Sequence, residues 1–304
     1  MLRKKKTSHN RTTRKSKPKT KPTPKSKPIV LGVDGNYIDL ELDYDVPEDQ
    51  ALGMIEQDPA VFSAAVACDD YETYGREMIP RSQWKDVAAK NEAKLRNLVQ
   101  YVHNQGREGA CVGNGCVGAT ESRSVFQFGK KFFRPLSPMS IYNRIGRSSS
   151  SGAYVPDGIN ELTDEGPLPL DTPGNKKLFD TTYRETGFVG ERRMTKEVPE
   201  WKETAALFRV LKVLRINTIG GWFSALNNAR PIVYGRNQHC IYSLFTKYHK
   251  NDLFFGYINS WSNRWGDTVN SKVGKGLGWD SERLIRRCQG YAIVEVTLRD
   301  EVLA

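Results

Sequence analysis

Gln105 and Cys111 stand six residues apart, while His239 and Asn259 follow the cysteine by 128 and 148 positions. No local structure joins such distant residues, so a chain that uses them together must fold a late segment back onto an early one. The order Gln, Cys, His, Asn is what acyl transfer by a thiol nucleophile needs. A free thiol ionises near pH 8.5 and attacks as thiolate, so it requires a cationic neighbour or a helix N-terminus. Gly109-Ala110 suits a turn, and residues 119–133 read as a helical continuation that would set Cys111 at a positive helix end.

The thiol also needs an imidazole that takes its proton and later returns it to the leaving amine. The chain has four histidines. His9 lies in a basic tail, His103 is two residues ahead of Gln105, and His249 falls in the polar stretch Lys247-Tyr-His-Lys-Asn-Asp252. His239 alone precedes an apolar, strand-like run, Cys240-Ile-Tyr-Ser-Leu-Phe245. Asn259 closes a second run, Leu253-Phe-Phe-Gly-Tyr-Ile258, so two adjacent strands would present the imidazole and the amide that orients it side by side. The Gln105 amide is near enough in sequence to donate to a developing oxyanion together with the Cys111 backbone N–H. Cys116, five residues beyond Cys111, would face away from it on a helix and reads as structural.

At these residues the chain resembles the papain family of cysteine peptidases. Asn104-Gln-Gly-Arg-Glu-Gly-Ala-Cys111 is similar to the family's Gln-Gly-x-x-Gly-Ser/Ala-Cys motif, and Asn259-Ser-Trp-Ser-Asn-Arg-Trp-Gly266 to its Asn-Ser-Trp-Gly-x-x-Trp-Gly motif. The separations also approach the roughly 130–150 residues expected between nucleophile and His or Asn in that family. Leu136-Ser-Pro-Met-Ser-Ile-Tyr142 and Ala229-Arg-Pro-Ile-Val233 add weaker likeness, so the resemblance spans roughly residues 80–300. It implies Cys111 as nucleophile, His239 as acid/base, Asn259 as orienter, Gln105 as oxyanion donor, and Trp261 as a shield over the His–Asn contact. The implied activity is hydrolysis of peptide bonds through an acyl-enzyme. The implied fold is α+β, a two-subdomain papain-like arrangement with a helical N-terminal half, a β-rich C-terminal half and the cleft between them.

There are departures. Glu108 stands where secreted members carry a disulfide cysteine and Val112 where they carry an aromatic, a pattern that looks more like bacterial or phage-borne members. Ser262 replaces a motif glycine, a change expected to alter the backbone after Trp261, and the interval from Val233 to His239 is short, as if a cleft loop were trimmed.

Charge is segregated along the chain. Residues 1–28 hold twelve Lys/Arg and no acid, residues 29–77 hold thirteen Asp/Glu against Arg76 alone, and the whole chain carries +11. The tail 1–28 reads as a disordered arm. It is either a solubilising extension or a contact for nucleic acid or another polyanion, and in the second case a virion- or nucleic-acid-associated structural role is the alternative to a peptidase. Residues 29–79 form an acidic extension, a possible prosegment ahead of a peptidase domain at 80–304. Within it, residues 38–46 alternate Ile38, Leu40, Leu42, Tyr44 and Val46 with acids. That is the pattern of a half-buried strand. It is open whether the extension covers the active site or adds a strand to the body. Short helices are expected around Asp58-Pro59, and longer ones over 85–103, 111–133, 139–145, 158–165 and 222–229. Strands are expected at 232–234, 240–245, 253–258 and 291–298.

The five cysteines form no Cys-x-x-Cys pair, so a reducing compartment with no metal and no cofactor is expected. The acids at 39–45 lack the glycine and terminal glutamate of a calcium loop. Gly274-Lys-Gly-Leu-Gly278 lacks the ending of a phosphate loop and reads as an ordinary turn. With no secretory core after the basic N-terminus and no run of about 20 apolar residues, a cytoplasmic or virion-associated protein that makes no membrane contact is expected.

Overall fold

The computed structural model describes residues 46–47, 49–178 and 187–297. The basic tail and the alternating stretch expected as a strand, Val46 apart, lie outside the described residues. Along the chain run α1 (Pro59–Ala64), α2 (Trp84–Arg96), α3 (Cys111–Phe128), α4 (Pro138–Ile145), α5 (Val155–Asp164), α6 (Pro173–Leu178), α7 (Glu191–Glu197), α8 (Trp201–Ala206), β1 (Val210–Ile216), α9 (Ile219–Asn227), β2 (Ile232–Arg236), β3 (His239–His249), β4 (Asp252–Ile258), β5 (Asp267–Asn270), β6 (Gly274–Ser281), α10 (Glu282–Ile285) and β7 (Gly290–Val296). Helices dominate the first part and strands the second, as an α+β chain requires. Among the described residues no helix is long and apolar enough to cross a membrane.

The strands form one antiparallel sheet in the order β1-β7-β2-β3-β4-β6-β5. Two tight hairpins fix its centre. Asn237 and Gln238 (φ 46° and 58°) turn β2 into β3, and Lys250 and Asn251 (φ 48° and 77°) turn β3 into β4. Left-handed pairs of this kind match the twist of the strands they join. The sheet is covered on both faces, which is why β3 reads as a continuous apolar run rather than an alternating one. Cys240, Tyr242 and Leu244 enter the core built around α3, whereas Ile241 joins Trp222 and Phe223 of α9. Helix α3 approaches β3 closely because it offers glycines there. A Cβ at Gly118 would come within 2.5 Å of the Tyr242 ring, and one at Gly115 within 3.0 Å of the Cys240 Sγ.

Several boundaries differ from the sequence expectation, each for a local reason. Helix α3 stops at Phe128 because Gly129 takes φ 91°. Helix α2 stops at Arg96 rather than near residue 103, because the following chain is extended to meet residues 260–262. There the Gln105 N–H donates to the Ser260 carbonyl at 2.9 Å and the Ser262 N–H to that of His103 at 3.3 Å. Helix α5 begins at Val155 with Pro156 in its first turn, and α9 begins after Thr218, whose hydroxyl accepts the Gly221 N–H at 3.0 Å. Gly274-Lys-Gly-Leu-Gly278 is not a turn but the start of strand β6, pairing with β4 and β5. Its glycines admit neighbours: a Cβ at Gly276 would strike Val102 at 2.6 Å and one at Gly278 the Tyr257 ring at 2.2 Å.

Residues 58–79 are built into this body. Asp58 caps α1 by accepting the Ala60 N–H at 2.8 Å. Phe62 stacks on Tyr291 of β7 with ring centroids 4.9 Å apart. The Arg215 N–H donates to the Asp69 carbonyl at 2.9 Å, and Tyr71 is fully buried beside α9.

Candidate active site

The N-terminus of α3 abuts the start of β3, and this contact assembles the four expected residues. Cys111 is the first residue of α3, and its Sγ accepts the Cys240 N–H at 3.3 Å. His239 opens β3, and Asn259 follows the last residue of β4, where Ile258 pairs with Tyr242. This register sets the two side chains together: His239 Nε2 lies 2.7 Å from Asn259 Oδ1. With a carbonyl oxygen as partner, Nε2 is the protonated nitrogen. Nδ1 is then the bare acceptor, and it has no hydrogen-bond partner. Trp261 stacks on the imidazole with centroids 4.7 Å apart and is itself met edge-on by Trp265 at 5.4 Å. Gln105 is fully buried, its Oε1 accepting from the Ser260 hydroxyl.

The cleft is not empty. Residues 50–55 of the N-terminal extension lie through it, held by main-chain bonds and by the Gln50 amide, which donates to Asn104 Oδ1 at 3.1 Å. The Ala51 N–H donates to the Gly106 carbonyl at 3.1 Å, Met54 N–H to Gln238 at 3.0 Å, Ala153 N–H to Gly53 at 2.8 Å and Ile55 N–H to Ala153 at 2.9 Å. Gln105 Nε2 donates to the Ala51 carbonyl at 2.7 Å and to that of Glu108 at 3.0 Å. The Gly53 backbone N–H acts to lower the pKa of the Cys111 thiol, against the larger effect of burial. Beside the imidazole, a pocket is lined by Val46, Leu52, Arg236, Tyr257, Asn259 and Trp261.

No protein-family model and no curated protein matches this chain. Among solved structures it is similar to xylellain, a cysteine protease from Xylella fastidiosa, at 16% identity over 84% of this chain and 99% of that one, with a TM-score of 0.50. It is also similar to a digestive procathepsin L2 proteinase from the larval midgut of Tenebrio molitor, at 14% identity over 84% and 81%, with a TM-score of 0.55. The fold is that of the papain-like cysteine proteases. At such identities the likeness speaks for the fold, and the chemistry has to be read from the side chains.

In this papain-like fold the Cys111 thiol and the His239 imidazole are both buried. Burial pushes the Cys111 thiol up to about 12, only partly offset by the N–H groups of Cys240, Gly53, Val112 and Cys111 itself. Burial pushes His239 down to about 4, with the Asn259 bond opposing and the nearby Arg236 guanidinium reinforcing the shift. The covered cleft therefore holds a neutral thiol and a neutral imidazole. This differs from the activated thiol that a helix N-terminus alone suggests. The physical reason is water exclusion: desolvation outweighs the helix dipole here.

Of the departures noted in the sequence, Ser262 keeps a left-handed backbone (φ 75°), and its hydroxyl accepts the Arg264 N–H at 3.2 Å. Glu108 accepts the Gly187 and Phe188 N–H groups. His103 is not exposed but pairs with Glu121 of α3 at 3.1 Å, bracing the strand-like stretch that delivers Gln105. Cys116 is fully buried, as Cys111 is. Among the described residues no cluster of His, Cys, Asp and Glu could hold a metal.

Sequence reasoning did not find Arg236 or Gly53. Arg236 stands opposite His239 in the β2–β3 ladder and ion-pairs with buried Asp280 at 3.2 Å. The trimmed loop between Val233 and His239, legible in the sequence, is the signal that could have pointed to it. Gly53 carried no signal at all.

Proposed function

We propose that this chain is a cysteine-type peptidase. The observation that carries the reading is the imidazole: tied to Asn259 through Nε2, covered by Trp261, left with Nδ1 unpartnered, and carried one residue before Cys240, whose N–H reaches the helix-terminal thiol of Cys111. His239 Nδ1 takes the Cys111 proton and the thiolate attacks the substrate carbonyl. The oxyanion is held by the Gln105 side-chain amide and the Cys111 backbone N–H. When the C–N bond breaks, His239 returns the proton to the leaving amine. Water, activated by the same nitrogen, then frees the acyl group from sulfur.

We further propose that residues 50–55 hold the enzyme inactive, as the inner part of a prosegment. They claim the Gln105 amide for the Ala51 carbonyl and bring the Gly53 backbone into the surroundings of the thiol. The amide proposed to hold the oxyanion is thus occupied while the segment fills the cleft.

The test is hydrolysis of a fluorogenic peptide by a chain beginning at Asp58, which lacks the covering segment. Gln105→Ala is expected to lower turnover by about 100- to 1000-fold. Asn259→Ala is expected to lower turnover while leaving Cys111 open to alkylation. Unchanged kinetics in both variants would remove these residues from the mechanism.

A further inference from the structure

Gly53 lies against the backbones of Gly109 and Gly152, and the first leaves no room for a side chain on Gly53. A Cβ on Gly53 would lie 2.1 Å from the Gly109 carbonyl oxygen and 2.4 Å from its Cα. On the other wall, a Cβ on Gly152 would lie 2.4 Å from the Gly53 oxygen. A Cβ on Gly109 would in turn approach the Gly152 nitrogen at 3.0 Å. Three glycines from three separate parts of the chain are thus pressed together directly ahead of the nucleophile. The obstructing atoms are backbone, which no rotamer change can move aside.

The adjacent residue is read as well. Met54 lies over Gly235 of β2, where an added Cβ would overlap the methionine sulfur at 1.8 Å. Gly235 has no positive φ, so its missing side chain reflects space for Met54 rather than backbone geometry. The bonds from Met54 N–H to Gln238 and from Ala153 N–H to Gly53 hold the pair in register.

We infer that the cleft carries a two-residue recognition site for glycine followed by a long unbranched side chain. Gly109 and Gly152 form the glycine slot, and Gly235 forms the floor under the next residue. Its ligand is an extended peptide segment containing Gly-Met, which this chain supplies itself as Gly53-Met54. The inference rests on the peptidase reading only for its bearing on catalysis, since the recognition is steric and concerns access to Cys111.

The full-length chain tests it through the rate at which iodoacetamide alkylates Cys111, followed by mass spectrometry. This readout needs no peptidase activity. Gly53→Ala is expected to raise the rate by at least about tenfold, because overpacking against fixed backbone expels the segment. Val61→Ser, on the exposed face of α1, is expected to leave it unchanged. Gly235→Ala is expected to open the cleft by displacing Met54, and adding Met54→Ala to that variant is expected to close it again. In the opened Gly53→Ala protein, the peptide Ala-Leu-Gly-Met-Ile is expected to protect Cys111 and Ala-Leu-Ala-Met-Ile to fail. A Gly53→Ala chain as slow as the parent, or equal protection by the two peptides, would overturn the inference. Fast alkylation without peptide hydrolysis would leave the recognition site standing and remove the peptidase reading.

Discussion

The two halves of the described N-terminal extension are held in different ways. Residues 50–55 are bound mainly by main-chain hydrogen bonds, with the Gln50 amide on Asn104, the Gly53 fit and Met54 over Gly235, while Leu52 and Ile55 remain exposed. Residues 58–79 contribute side chains to the body: Tyr71 is fully buried, Asp70 pairs with Arg215 at 2.6 Å, and Glu77 pairs with Arg230. Main-chain bonds exchange readily for bonds to water and add little net stability. Buried aromatic surface does not exchange so easily. One stretch of sequence thus combines a segment held largely through its backbone with one whose side chains enter the body, and the change falls near Asp58.

The most damaging test of this contrast is truncation. A chain beginning at Asp58 is expected to unfold cooperatively, close to the temperature of the full chain. One beginning at Met78 is expected to lose more than the ~3–5 kcal/mol typical of deleting a single large aromatic. Equal melting of the two truncated chains would erase the distinction. A finer version uses single residues. Tyr71→Ala is expected to destabilise by about 3–5 kcal/mol in denaturant unfolding. Met54→Ala, at a half-buried position, is expected to cost under about 1 kcal/mol by the same measure.

The smallest expected effect is a dependence on pH. Opening the cleft returns His239 from about 4 toward its ordinary 6.5 and the Cys111 thiol from about 12 toward 9. The imidazole takes up a proton more readily when open, so the closed contact weakens as pH falls from 6.5 toward 4. The thiol loses its proton more readily when open, so the contact also weakens as pH rises from 9 toward 12. It is tightest between those ranges. Hydrogen exchange over residues 50–57, corrected for intrinsic rates, is expected to be roughly tenfold faster at pH 5 than at pH 7.5. Exchange over residues 58–79 is expected to change far less. A parallel response of both segments would mean that acid loosens the whole body.

The four candidate site residues stood out in the sequence because each is a residue type that its proposed role demands. The two motifs around Cys111 and Asn259 then narrowed the fold. Strands β2, β3, β4 and β7 were legible as apolar runs bounded by polar turns. Strand β6 was not, since glycines weaken strand propensity and here they serve close contacts with Val102 and Tyr257. The early end of α2 was hidden for a related reason: residues 103–105 obey a long-range pairing with residues 260–262 that no local pattern reveals. The covering segment was least legible of all. Its hold depends on what Gly53 lacks, and an absent side chain acquires meaning only once Gly109 and Gly152 are placed around it.

The central claim is that Cys111, and not the neighbouring buried Cys116, is the nucleophile of a peptidase exposed when residues 50–55 leave the cleft. The most direct measurement is labelling of the chain beginning at Asp58 with an epoxide thiol-protease probe, alongside hydrolysis of a fluorogenic peptide. Both signals are expected to be strong in that chain and in its Cys116→Ala variant, and absent in Cys111→Ala. Labelling and hydrolysis that survive Cys111→Ala but vanish with Cys116→Ala would contradict the account.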